Sequence, residues 1–287
     1  MATKIKTITA GIKDENIRSD CYVELIINKS GGIKLQLKSK VESMYGESIR
    51  ELILDMCKYF SLKNAKITVE DYGALPFTLA ARIETAIKRA LPKTQNEYLL
   101  PLDKKSLYHT SKDRLRRSRL YLPGNEPKYF INAGLHKPDA IILDLEDSVA
   151  PSQKDAAQLI VRNALRSVNF YGCERMVRIN QLPNGLNDLD FIVPHNVHVI
   201  LIPKCESAEQ VKHVDNEIAR IKKEKNIKSD IYLMPIIESA LGVIKSFEIA
   251  TASKNNCGLA VGLEDYTSDI GTQRTEEGKE SFFARSM

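Results

Sequence analysis

The chain has 287 residues, 43% hydrophobic and 28% charged, with 14 Gly and 11 Pro. That suits a globular protein of about two domains and excludes collagen-like or low-complexity character. Net charge is only +5, from 42 basic against 37 acidic residues, a solvated surface with a slight excess of Lys rather than the footprint of a nucleic-acid binder. The cysteines at 21, 57, 173, 205 and 257 are scattered and odd in number, with no C-x-x-C pair. They read as small hydrophobes in a reducing compartment. There is no signal-peptide run and no stretch of the ~18–20 apolar residues a membrane span needs. The expectation is a cytoplasmic protein with neither membrane nor nucleic acid as partner.

In chain order, "CYVELII" (21–27) and "GIKLQL" (32–37) alternate as strands around Lys29-Ser30-Gly31, which predicts a hairpin. Residues 41–60 carry Ile49, Leu52, Ile53, Met56 and Tyr59 or Phe60 at helical spacing. "AKITVED" (65–71) reads as a third strand. "PFTLAARIETAIKRA" (76–90) reads as a helix, with Pro76 near its start and basic residues in its last turns. Residues 1–92 thus form a small α+β module without a catalytic constellation. Residues 93–113 are polar and without periodicity, and read as a linker. "KDRLRRSR" (112–119) reads as the solvated entrance to the next domain, with phosphate contact as the other option.

Residues 114–287 change rhythm. Short apolar runs at 119–124, 139–147, 175–180, 197–204, 231–239 and 258–265 alternate with amphipathic stretches such as 154–168 and 207–225. Strand then helix, repeated about six times at ~20–35-residue spacing, predicts an α/β fold, a TIM-type (β/α) barrel with catalytic groups at the C-terminal strand ends. Nearly every run ends in polar chemistry at that end: Asp144, Glu146 and Asp147; Arg178 and Asn180; Lys204 and Glu206; Glu238; Glu264 and Asp265. His195 and His198 fall at the opposite end and read as structural.

Converging carboxylates repel unless a cation neutralises them. A few hard oxygen ligands with no His suit Mg²⁺. Arg178 offers a planar fork for a substrate carboxylate. Metal and Arg together would stabilise an oxyanion beside a carboxylate-bearing carbonyl, which points to carbon–carbon cleavage or its reverse. Taken singly, each of these residues reads equally well as a salt bridge on a barrel rim.

"RRSRLYLPG", "DAIILDLEDSVAPSQKDAA", "MVRIN", "LIPKCESAEQV", "PIIESALGV" and "GLAVGLEDYTSDIGTQRTEEG" resemble the citrate lyase beta subunit and the aldolase/citrate lyase superfamily, over about residues 116–286. The resemblance implies Mg²⁺ held by Glu238 and Asp265, and Arg178 on the oxaloacetate portion of the substrate. It also implies Glu146 and Asp147 lining the metal's outer shell and Arg117 near the substrate entrance. Catalysis is thereby assigned to Arg178 and Glu146, and substrate contact to Arg117, Arg178 and Asp147.

The N-terminal module resembles the citrate lyase acyl carrier protein, the gamma subunit, through "GIKLQLKSKVESMYGESIRELILDMC" and "KITVEDYGALPFTLAARIETAIKRA". That family carries a covalent phosphoribosyl-dephospho-coenzyme A on a serine in a context like "AGTLESSD". Here the segment reads "AGIKDENIRSD", and its "SD" pair makes Ser19 the implied attachment site. The implied partners are a citrate lyase alpha subunit acting as acyl transferase and a prosthetic-group transferase, in an oligomer. The implied reaction is cleavage of citryl-carrier to acetyl-carrier and oxaloacetate. Two other readings stand beside it: a non-catalytic carrier and assembly module with a barrel remnant, and a lyase for citramalyl- or malyl-type thioesters. About six strands in roughly 175 residues fall short of the eight strands of a full barrel. The expectation is therefore a barrel truncated before its last strands, active alone or not.

Overall fold

The computed structural model describes residues 6–14 and 16–287. Residues 1–5, and Glu15 of the expected attachment loop, lie outside the described residues. The chain forms two compact units. One is the N-terminal chain to Ser106 with Gly124–Asn132 and Ala150–Asn169; the other is Leu107–Pro123, Ala133–Val149 and Phe170–Met287.

The first unit holds strands β1 (Ile8–Ala10), β2 (Cys21–Ile27), β3 (Ile33–Ser39) and β4 (Ala65–Asp71), and helices α1 (Glu42–Tyr59), α2 (Pro76–Ala90) and α3 (Lys154–Ser167). The sheet order is β1-β2-β4-β3. The expected β2–β3 hairpin is therefore corrected: β4 lies between them, antiparallel to β2 and parallel to β3. The β3–α1–β4 crossover supplies the connection that a parallel pair needs. The Lys29–Gly32 segment is instead tied to the residue before β4, where Asn64 Oδ1 accepts from the Gly32 amide at 2.9 Å. Alternate residues of β2 and β4 point inward, and Val23, Leu25, Ile67 and Val69 pack with Ile49, Ile53 and Met56 of α1 and Leu79, Ile83 and Ile87 of α2. Arg82 and Glu84, on the polar face of α2, are buried as well. Glu84 is paired with the buried Arg162 of α3 at 2.6 Å, so the amphipathic helix of 154–168 completes this unit.

Residues 93–106 contain a single 3-10 turn, Lys104–Ser106. They are nevertheless held down: the Tyr98 hydroxyl donates to Asp55 at 2.7 Å, and the Asp103 amide donates to the Arg166 carbonyl at 2.8 Å.

The second unit carries β5 (Arg119–Pro123), β6 (Ala140–Asp144), β7 (Glu174–Arg178), β8 (Val199–Ile202), β9 (Tyr232–Ile237) and β10 (Ala260–Val261). They are all parallel and lie side by side in chain order, the curled half-barrel of a mixed α/β fold. Helices α4 (Gly185–Ile192), α5 (Ala208–Glu224), α6 (Ala240–Ile244), α7 (Ser246–Thr251), α8 (Leu263–Asp269) and α9 (Phe282–Ser286) fill the connections. Ala140, Ile142, Met176, Val199, Leu201, Met234, Ile236 and Ala260 form one apolar cluster. Because strand side chains alternate faces, Asp144, Arg178 and Glu238 stand on the same face, one step further along. The sequence places the sixth run's acids on a strand tip. Observed β10 is only two residues long, and Glu264 and Asp265 open helix α8.

Candidate functional site

The site is built at the C-terminal ends of β6 to β10. Asp144 is buried, and Arg178 grips it at two points, Nε to Oδ1 and Nη2 to Oδ2, both 2.7 Å. Arg178 Nη1 lies 3.0 Å from Glu146 Oε2. Burial would push the Asp144 carboxyl up, but the bond and charge of Arg178 hold it below the usual carboxylate range. Burial likewise opposes the Arg178 charge, and Asp144 and Glu146 more than restore it. Two of the five guanidinium N–H groups are thus committed to Asp144 before any ligand arrives. Tyr121 of β5 faces the same cation, with its ring centre 5.3 Å from Cζ.

Glu146 is buried at the start of the loop after β6 and accepts from Gln181 Nε2 at 2.9 Å. Its pKa is raised, chiefly by burial, the direction a proton-transfer group needs near neutrality. Asp147 is exposed.

Glu238, at the end of β9, is buried, and its Oε2 accepts from the Lys204 backbone amide at 2.7 Å. Its pKa is raised by burial first, with Asp265 and Glu146 adding to the effect. Gly262, at the end of β10, makes room for it: a Cβ there would lie 2.6 Å from Glu238 Cγ and Oε1. The Lys204 ammonium lies 3.5 Å from Asp265 Oδ1 and 4.0 Å from Asp147 Oδ2. Glu238 and Asp265 therefore meet at one residue, which binds the first through its backbone and the second through its side chain.

Among the described residues no three His, Cys, Asp or Glu form a ready metal cage. The donor set is nonetheless one that fits Mg²⁺, which takes one or two protein carboxylates and completes its shell with water and substrate oxygens. Burial chiefly raises Glu238, and the nearby carboxylates of Asp265 and Glu146 add to it, a setting in which a bound cation would favour the ionised form.

The expected residues divide cleanly. Arg178, Glu146, Asp147, Glu238 and Asp265 come together. Arg117 does not, which corrects its reading as a substrate contact. It precedes β5, at the N-terminal pole, and pairs there with Asp139, the residue before β6, at 3.0 Å. Parallel strands in register put those two starts side by side, at the far end of the sheet from Asp144. Glu264 is exposed and paired with Arg274. His195 and His198 are buried before β8, as structural histidines should be. The site members that sequence reasoning missed are Gln181 and Gly262. Gln181 directly follows the "VRIN" run and Gly262 lies inside "GLED", the only signals that would have marked them.

In the first unit, Ser19 is half-buried at φ +56°, and its amide donates to the Tyr72 carbonyl at 3.0 Å. Beside it Asp20 is buried and held by Arg82 at two points, 2.9 and 2.6 Å. This clamp presents the Ser19 loop at the surface, a position that fits a covalently attached group.

A family model described as HpcH/HpaI aldolase/citrate lyase matches residues 117–287, and one described as malonate decarboxylase delta subunit (MdcD) matches residues 7–90. The citrate lyase subunit beta of Haemophilus influenzae is 41% identical over 60% of this chain and 60% of its own length. That of Leuconostoc mesenteroides subsp. cremoris is 39% identical over 61% and 59%. The chain thus spans about three fifths of these curated relatives. A solved structure described as the citrate lyase beta subunit of M. tuberculosis with oxaloacetate and magnesium is 28% identical, with a TM-score of 0.47 over 60% of this chain and 72% of that one.

Proposed function

Because the chain belongs to the HpcH/HpaI aldolase/citrate lyase family, we propose that its half-barrel performs carbon–carbon cleavage of a citryl thioester to an acetyl thioester and oxaloacetate. The observation that carries this reading is the meeting of Arg178 and Glu146 with Glu238 and Asp265 at one end of one sheet. Glu238 and Asp265 would hold Mg²⁺, which supplies Lewis-acid polarisation of the substrate's hydroxyl and carboxylate oxygens. Arg178, fixed by Asp144, binds the carboxylate of the oxaloacetate half through the N–H groups that Asp144 and Glu146 leave free. Glu146 takes the proton of the citryl hydroxyl. The C–C bond electrons then pass to the thioester as an enolate, and the new carbonyl becomes that of oxaloacetate. Return of the proton to the enolate carbon releases the acetyl thioester and regenerates the carboxylate. Burial, which raises Glu146, favours both transfers.

The first unit would carry the thioester on a phosphoribosyl-dephospho-coenzyme A attached to Ser19, with an alpha-type acyl transferase and a prosthetic-group transferase as partners. Five free cysteines support a reducing, cytoplasmic setting. Among the described residues no helix is long and apolar enough to cross a membrane.

The test is release of the 2-oxo acid with Mg²⁺ and the acyl-transferase partner present: oxaloacetate from a citryl thioester, pyruvate from a citramalyl thioester and glyoxylate from a malyl thioester. Release from the citryl compound alone supports the proposal, and release from another thioester reassigns the acyl group. No release from any of them, from a chain whose mass shows the Ser19 adduct, leaves a carrier without catalysis.

A further inference from the structure

Lys204 has a stranger setting than a rim salt bridge requires. It follows β8 at φ +46°, a left-handed conformation that residues with side chains rarely adopt and that clusters where function demands it. In that conformation its amide reaches Glu238 Oε2 at 2.7 Å. Its ammonium reaches Asp265 at 3.5 Å and Asp147 at 4.0 Å. Three acids following three different strands, β6, β9 and β10, thus converge on one residue. Glu238 is pressed into the same corner from the other side, against Gly262.

Resting on the metal reading above, we propose that Lys204 is a resident counter-ion. Its ammonium neutralises the acidic mouth while no divalent cation is bound and is the charge a divalent cation must push aside, and its backbone amide keeps Glu238 aimed throughout. Lys204 is therefore a positioning residue that sets how tightly the site takes its metal. A monocation a few ångströms from a dication opposes its binding even when well screened, so removing the ammonium strengthens the site. Removing the amide's geometry would not.

The experiment titrates Mn²⁺ alone into the full chain and follows water-proton relaxation, for wild type, Lys204→Met, Lys204→Gly, Glu238→Gln and Asp265→Asn. Lys204→Gly accepts the left-handed backbone and keeps the amide donor, which guards against misfolding of the Met variant. Both Lys204 variants are expected to bind Mn²⁺ roughly tenfold tighter than wild type, while Glu238→Gln and Asp265→Asn lose binding. Unchanged or weaker binding in both Lys204 variants, with wild-type binding still dependent on Glu238 and Asp265, overturns the counter-ion role and leaves the metal reading standing. Wild-type binding that is absent or indifferent to those carboxylates overturns both.

Discussion

Asp144→Asn is the sharpest perturbation of the Arg178 anchor. The carboxylate makes two 2.7 Å bonds to the guanidinium and accepts the Glu146 amide at 2.9 Å and the Ser148 hydroxyl. An asparagine keeps one acceptor but turns an NH₂ toward one guanidinium nitrogen, so a donor faces a donor and the buried cation loses its nearest charge. Breaking a buried pair from one side costs about 3–5 kcal/mol. Arg178 retains Glu146 at 3.0 Å, and 12% of its side chain is exposed, so about 2–3 kcal/mol is the reasoned loss. The assay is urea unfolding followed by far-UV circular dichroism, since the chain has no Trp. It is run on Asp144→Asn, Arg178→Met and the double variant. A coupling energy of about 1.5–3 kcal/mol is expected. The exposed Arg220–Glu217 pair, 2.6 Å apart, serves as control, with Glu217→Ala costing under about 0.5 kcal/mol. A coupling for Asp144 and Arg178 under about 0.5 kcal/mol, no larger than the cost of the control variant, would refute the claim that this pair organises the site.

Gly262→Ala drives a methyl to within 2.6 Å of Glu238. It should cost about 1–2 kcal/mol in urea unfolding and weaken Mn²⁺ binding by displacing the carboxylate. His198 is pushed down to about 3, by burial first and then by Arg175, whereas an unfolded histidine titrates near ~6.5. Between those values the unfolded chain binds more protons, so stability falls as pH is lowered through that window, by up to about 1.4 kcal/mol per pH unit. His198→Asn should flatten that slope in denaturation curves taken from pH 7 to 4. Asp20→Asn strands the buried Arg82 and should cost about 3 kcal/mol. It should also reduce the adduct mass on Ser19 after coexpression with the modifying enzymes.

Much of this architecture is written locally in the chain. The 3.6-residue spacing of Ile49, Ile53 and Met56 marked α1, Pro76 marked the start of α2, and six short apolar runs marked six parallel strands whose tips carry the site. What was not legible is non-local. The order β1-β2-β4-β3 depends on which strand slides between two others, and neither "CYVELII" nor "GIKLQL" encodes its neighbour. The burial of Glu84 on α2 was not legible because its partner Arg162 lies 78 residues away. Glu264 and Asp265 looked like a strand tip because "GLAVGLED" is uniformly small and apolar before its acids, yet pairing with β9 stops at Val261 and a helix begins. Arg117 misled because a motif gives order along the chain, whereas the pole on which a residue lies depends on where its strand begins.

The central geometric claim is that side chains from four strand ends, those of β6, β7, β9 and β10, share a divalent ion and an oxo acid. The direct test is paramagnetic relaxation of ¹³C-labelled oxaloacetate by Mn²⁺ in the presence of the chain. The account predicts strong relaxation in wild type, none with Glu238→Gln or Asp265→Asn, and with Arg178→Lys a weakened affinity for the acid alongside intact Mn²⁺ binding. Relaxation that is absent in wild type, or equal in every variant, would contradict it.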